Sequence, residues 1–145
     1  MDPKKREEAV KKRLKDGWIK VGFMIEAMAI SKETTESALK KHVEKMEKEK
    51  DVIISRKEFK PTEEIKKPLP NIEKGYSQVV DVELVAKSFD KLIYMSMNYG
   101  PSAIEILEPN KITMDFGEAQ GILNSIASVM HTFAAMRGGG LLVST

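Results

Sequence analysis

The chain has 145 residues, enough for one domain with a hydrophobic core, and 41% of them are hydrophobic, as in soluble globular proteins. It contains no cysteine, which excludes disulfides, thiol catalysis and metal sites built on thiolates. With 24 basic and 22 acidic residues, the net charge is +2, so no strong field draws the chain to nucleic acid. The only two histidines are far apart in sequence, and we predict neither a metal site nor a cofactor.

The longest uncharged segment is interrupted by polar residues, and no apolar segment follows the basic start of the chain. We therefore predict neither a membrane span nor a signal peptide, and we expect a cytoplasmic protein. Abundant Lys and Glu without Cys resemble the composition of hyperthermophile proteins, which hints at a thermophilic source.

The first predicted element is a basic helix, with Asp2 as its N-cap and Pro3 at its first position. It carries many charges and few apolar residues, namely Ala9, Val10 and Leu14. We interpret residues 1–17 as a solvated helix or arm. The alternative is an arm that contacts phosphates.

The segment from Trp18 to Ala29 alternates in polarity and starts with β-branched and aromatic residues, which predicts a strand that carries Glu26. As a helix, the same segment would make the N-terminal half a winged helix that binds DNA. Ser31 begins a clear helix, and the acidic residues on that helix would repel phosphates. The β-branched and aromatic start of the segment favours the strand. The acidic residues of the following helix argue against nucleic acid as a partner.

Two further strands are predicted at residues 52–59 and 76–87. Strict alternation in the first of them places four residues on one side, namely Val52, Ile54, Arg56 and Glu58. Residues 60–75 contain three prolines and little periodicity, so we predict a long loop or an edge excursion between the two strands.

A short helix starts after Ser88 and stops at Gly100, and a strand that includes Glu105 follows. Tyr99 and Ser102 flank this joint and are candidates for a ligand-binding rim, although turn chemistry also explains the joint. Acids within apolar strands, such as Glu26 and Glu105, act as general acids or bases when a closed site shields them. Pairing with Lys is the simpler interpretation.

The last predicted helix covers residues 115–136 and has no charged residue between Glu118 and Arg137. Asp115 and Glu118 form a capping-box-like start, and Gly138 is a suitable stop. One face is predicted to be core, with apolar residues at Ala119, Ile122, Leu123, Ile126, Met130 and Phe133. The opposite line is polar without charge and supplies candidates for ligand or interface contacts: Gln120, Asn124, Ser128 and His131.

We expect both faces of this helix to be covered, by the same chain or by a second copy, so we predict a homo-oligomer through residues 115–136. An enzyme that uses His131 and a strand glutamate is the alternative. Because no nucleophile with an orienting partner is evident, we predict a non-catalytic binding or regulatory module with a small-molecule or protein partner.

The order of elements contains βαββαβ, which predicts an α+β ferredoxin-like sandwich with extra N-terminal and C-terminal helices. The domain is expected to cover residues 18–137, followed by a tail at 138–145 that is either a flexible end or an edge strand. The segments YGPSAIEILEP and FGEAQGILNSIASVMH resemble small archaeal proteins of unassigned function. That resemblance implies no catalytic residues.

Overall fold

The computed structural model describes residues 2–136, and the chain divides into two compact units, Met1–Lys111 and Ile112–Thr145. The first unit contains three helices and five strands: α1 (Pro3–Lys15), β1 (Ile19–Ala29), α2 (Lys32–Glu47), β2 (Val52–Phe59), β3 (Glu63–Leu69), β4 (Ile72–Ala86), α3 (Phe89–Tyr99) and β5 (Ala103–Glu108). In the described part of the second unit lies α4 (Phe116–Met136). The protein is therefore a mixed α+β protein, as predicted.

The four described helices begin where the sequence predicts, because a side-chain oxygen caps each first turn. Asp2 Oδ1 accepts from Lys4 N at 2.9 Å, and Asp115 Oδ1 accepts from Glu118 N at 2.8 Å. The two serine caps are equivalent, with Oγ–N distances of 3.1 Å at Ser31 and at Ser88. The predicted stop of α3 is also confirmed, since Gly100 adopts the left-handed conformation with φ of 53°.

All strand pairs in the sheet are antiparallel. Four strands lie side by side in the order β2-β4-β1-β5, and β3 pairs with β4 off this path. Residues 19–29 form the strand β1, so the winged-helix alternative is wrong, because it requires a helix there. The ferredoxin-like prediction specified four strands. The sheet has a fifth strand, β3, which pairs with β4 off the path of the other four, so the exact four-strand arrangement is not shown.

Of the two alternatives predicted for residues 60–75, the long loop is wrong, because β3 and the start of β4 occupy most of the segment. The structure instead has an excursion beside the sheet, in which β3 pairs with β4. Pro68 lies within β3. Proline removes a backbone donor, but β3 pairs with β4 alone, and edge strands tolerate such a loss. The strand is irregular, with a register shift between Lys66 and Leu69.

The hydrophobic core lies between α2 and one face of the sheet, since α2 packs against both β1 and β4. Its most buried side chains are Val21, Phe23, Leu39, Val43, Met46, Val80, Val82 and Leu84. The N-terminal helix α1 packs against β2 and buries Val10, so it is not a detached arm.

In the second unit, the predicted core face of α4 is mostly exposed in the single chain. Ile122 is buried, whereas the other large side chains of that face are exposed: Leu123, Ile126, Met130 and Phe133. The predicted stop at Gly138 and the tail at 138–145 lie outside the described residues. No helix in the described part of the chain is both long and apolar enough to cross a membrane.

Candidate functional site

A groove of about 410 Å³ lies on the sheet face that carries alternate residues of β1, including Gly22, Met24 and Glu26; we call this the groove face. Strand alternation places these residues opposite the buried core residues of β1. The residues that line the groove include Gly22, Met24, Arg56, Glu83, Glu105 and Leu107. They come from four neighbouring strands.

Gly22 forms the floor of the groove. It pairs with Glu83 on β4 and with Glu105 on β5, so a carboxylate-bearing residue stands on each side of a position without a side chain. A Cβ atom added at Gly22 would meet only Leu107 Cδ1, at 3.9 Å. The absence of a side chain therefore opens the floor without being required by backbone conformation.

A β-bulge in β2 brings Arg56 to the groove face. The register with β4 shifts between Ile54, which is opposite Leu84, and Arg56, which is opposite Glu83. The extra residue, Ser55, donates from Oγ to the Glu83 carbonyl at 3.1 Å. Strict alternation predicted that Arg56 and Ile54 share a face, and this prediction is wrong because a bulge re-aims the side chains that follow it.

One wall of the groove face is a continuous ion network. Arg56 donates from Nη1 to Glu83 Oε2 at 3.0 Å and from Nη2 to Glu58 Oε2 at 2.6 Å. Lys20 Nζ lies 3.7 Å from Glu83 Oε1, and Lys60 Nζ lies 2.9 Å from Glu58 Oε1. The hydrogen bond from Lys60 lowers the pKa of Glu58, and the hydrogen bond to Glu83 raises the pKa of Arg56. Both groups stay charged at neutral pH.

The two acids predicted as site candidates differ in their surroundings. Glu26 accepts a hydrogen bond from the Ser77 hydroxyl. Glu105, at the opposite wall from the ion network, makes no hydrogen bond or ion pair with any residue from 2 to 136. Only Glu105 therefore offers an unpaired carboxylate to the groove. Within the same residues, no group of three or more acids and histidines is arranged to hold a metal ion.

Tyr99 and Ser102 make structural contacts at the joint between α3 and β5. Ser102 donates to the Met24 carbonyl from its backbone N, at 2.8 Å, and from Oγ, at 3.1 Å. Tyr99 is buried, its hydroxyl donates to Glu49, and its carbonyl lies 2.8 Å from His42 Nε2. Neither residue lines the groove.

The polar candidates on α4 lie exposed along one line of the helix. Gln120 Nε2 donates to Asn124 Oδ1 at 3.5 Å, which is the outer limit of a hydrogen bond. Ser128 and His131 continue the line at four- and three-residue steps, and both are exposed. These side chains are available for contact with a partner or a ligand.

A second line on α4 is apolar, and all its members except the half-buried Ala119 are exposed. We call it the apolar stripe, and it consists of Phe116, Ala119, Leu123, Ile126, Met130 and Phe133. The exposed fractions of its large members run from 43% at Ile126 to 90% at Phe116. Apolar side chains that are exposed together along one line, in contrast to isolated ones, make the stripe a candidate interaction surface.

Two groove residues, Gly22 and Arg56, were missed as candidates by sequence reasoning. A glycine inside a strand often marks a place where another group approaches closely, and this signal pointed to Gly22. No signal of that kind existed for Arg56, because its position depends on the bulge at Ser55.

A family model matches most of the chain. The model of the MJ0538 family, which is named after an archaeal protein of unassigned function, matches residues 20–144. This agrees with the resemblance of the two C-terminal segments to small archaeal proteins. No curated protein and no solved structure matched the chain.

Proposed function

The chain belongs to the MJ0538 family, and we propose that it is a non-catalytic binding or regulatory module that acts as an oligomer assembled through α4. The observation that carries this proposal is the apolar stripe, which is exposed in the single chain. After Glu118, α4 has no charged residue up to Met136. A helix exposed to water on several sides normally carries charges there. The uncharged surface of α4 is therefore suited to contact with another protein surface.

A second copy of the chain is the simplest cover for the apolar stripe. Symmetric homo-oligomers bury the same patch on each subunit, so one stripe is matched by another of identical chemistry. Burial stabilises by about 25 cal/mol for each Å² of apolar surface removed from water. The exposed parts of Leu123, Met130 and Phe133 make the stripe the main source of this energy.

The mass of the protein in solution tests the assembly. Light scattering should show an oligomer for the wild type and a monomer for Met130→Lys, because that substitution places a charge within the apolar stripe. Asn124→Lys is the matched control, since it adds the same charge on the polar line of the same helix. A monomeric wild type, or an oligomer that survives Met130→Lys, would contradict assembly through the stripe.

We also propose that the groove binds a small molecule that carries a cationic group. Three acids and one arginine line it. Arg56 is paired with Glu83, and Asp81 Oδ2 lies 3.6 Å from Lys60 Nζ, so Glu105 remains to accept a hydrogen bond from a cation. Met24 and Leu107 supply apolar contact on either side of the Gly22 floor.

Titration calorimetry with 1,4-diaminobutane as a probe tests this second proposal. We expect saturable heat from the wild type and none from Glu105→Gln, which removes the unpaired carboxylate, or from Gly22→Met, which fills the floor. The control is Glu44→Gln, which removes an exposed acid on α2. Absence of heat from the wild type, or equal heat from Glu105→Gln, would contradict the proposal.

We further infer that the first unit is a ferredoxin-like βαββαβ core with one added strand. The support is the order of elements along the chain, since β1, α2, β2, β4, α3 and β5 follow that order when β3 is set aside. In this interpretation, β3 is an extension of the connection between β2 and β4. A solved structure of another family member without β3 would test it.

A further inference from the structure

We propose that α4 pairs with the α4 of a second copy in antiparallel orientation. The two-fold axis lies between the two helices, at the level of the midpoint between Asn124 and Ser125. This inference rests on the proposed assembly through α4 and specifies its geometry. The apolar stripe follows a heptad pattern, because its six members recur at steps of three and four residues. Two helices that carry such a stripe pack along one continuous seam as they supercoil around each other.

The positions of the stripe are symmetric about the midpoint between Asn124 and Ser125. An antiparallel pair centred there places Phe116 against the partner's Phe133, Ala119 against the partner's Met130, and Leu123 against the partner's Ile126. All six members on each helix are then used. A shift by one heptad would leave the residues at both ends of the seam without a partner.

Side-chain volume favours the antiparallel pair over a parallel one. In a parallel pair each residue meets its own copy, so a layer with two Ala119 side chains would lie next to a layer with two Phe116 side chains. A layer of two alanines leaves a cavity, and cavities in a packed interface are costly. In the antiparallel pair, each alanine faces a methionine, so the layers have more even volumes.

Charges at the helix ends favour the same orientation. Asp115 and Glu118 stand at the N-terminal end of α4, and its described last turn carries no basic residue. A parallel pair would bring four acids and two like ends of the helix dipole together, whereas an antiparallel pair separates them. The positions that flank the stripe add no charge that would favour the parallel pair: Gln120, Ile122, Ala127, Val129, Ala134 and Met136.

The surface available matches the need of a stable dimer. With the exposed fractions of the large stripe residues and of Met136, the exposed apolar area is on the order of 800 Å², which is about what each partner contributes to a standard interface. The occupant is therefore expected to be a helix of similar length, and a second α4 meets that requirement.

Single-cysteine variants test the orientation, because the native chain has no cysteine. The variants are Ala119→Cys and Met130→Cys, each oxidised alone and after mixing. In the antiparallel pair, residue 119 faces residue 130 of the other copy, within the range of a disulfide. Two copies of residue 119 are then offset by about 16 Å along the helices and cannot bond. We expect crosslinked dimers from the mixture and none from either variant alone.

The outcomes separate this inference from the assembly on which it rests. Crosslinks within each single variant, with a dimeric mass by light scattering, would show a parallel pair and overturn the orientation while leaving assembly through α4 intact. A monomeric mass with no crosslink would overturn the assembly itself. A dimer that Met130→Lys disrupts but that shows no crosslink in the mixture would also overturn the proposed register.

Discussion

The hydroxyl of Tyr99, at the end of α3, donates a hydrogen bond to Oε2 of Glu49, just beyond the end of α2. Glu49 also accepts from Lys91 Nζ at 3.1 Å, and its side chain is only 16% exposed. The ring of His42 meets the Tyr99 ring edge-on, with 5.1 Å between the ring centroids. Glu49 thus joins α2 to α3.

We expect Glu49→Gln to lower the free energy of unfolding by about 2 kcal/mol at pH 7, because hydrogen bonds to a charged group are lost. The hydrogen bond from Tyr99, together with Lys91, holds the pKa of Glu49 below its ordinary value of 4.5. This stabilisation is complete above pH 4.5 and is lost as the pH falls through the lower folded value. Urea unfolding at pH 7 and at pH 3 should therefore show a difference between wild type and variant that shrinks in acid.

The control for this prediction is Glu44→Gln, which removes an exposed acid from α2, the helix that ends just before Glu49. A cycle with Tyr99→Phe isolates the contact itself, and we expect the two substitutions to be less than additive. Burial and the hydrogen bond to Glu49 raise the pKa of Tyr99, so its own contribution is complete below pH 10 and is lost as the pH rises through the folded value. Full additivity would mean that the two side chains act independently.

A buried hydroxyl fastens the start of α2 to the sheet. Thr35 is fully buried, and its Oγ1 lies 2.8 Å from the Ser31 carbonyl and 3.2 Å from the Tyr76 carbonyl. Thr35→Val keeps the shape but leaves a buried carbonyl without this donor, so we expect a loss of about 1–2 kcal/mol in the free energy of unfolding. Thr35→Ser keeps the hydroxyl and should lose less, and a larger loss for Ser than for Val would contradict this explanation. Thermal unfolding of both variants measures the two losses of stability.

We expect substitution by alanine to have opposite effects on stability at two glycines of the sheet. A Cβ atom at Gly75 would lie 2.8 Å from Pro68 Cγ, an atom of a rigid ring, so Gly75→Ala should destabilise by about 1–2 kcal/mol. At Gly22 the same atom meets only Leu107, at 3.9 Å, and alanine reduces the freedom of the unfolded chain. Gly22→Ala should therefore keep or raise the melting temperature. A drop at Gly22 as large as that at Gly75 would show that Gly22 is needed for folding and not only for the groove.

The sequence predicted those parts of the structure that depend on local chemistry. The four helix caps and the left-handed stop at Gly100 follow from side chains within a few residues of each other, and the structure has them all. The prediction of which β2 residues share a face was wrong beyond Ile54, because the pairing with β4 determines where a one-residue bulge forms. For the same reason β3 was missed, since its proline-rich sequence becomes a strand only beside β4.

The candidate sites were predictable to a similar extent. Alternation placed Glu26 and Glu105 in strands, but only the register shows that Glu105 and Glu83 flank Gly22. The lack of charge on α4 was evident from the sequence. The proposed partner of α4 was not predictable in the same way, because the contacts within one chain do not include those with a second chain.

The polar line of α4 provides the last prediction, which concerns His131. In the proposed antiparallel pair this exposed side chain lies away from the seam, so His131→Ala should leave both the dimeric mass and the melting temperature unchanged. Met130→Ala, its neighbour on the apolar stripe, is the matched control and should weaken the dimer, because it removes apolar surface from the seam. Sedimentation over a range of concentrations measures both effects. If His131→Ala dissociates the dimer and Met130→Ala does not, the polar line forms the interface and the apolar stripe has another partner.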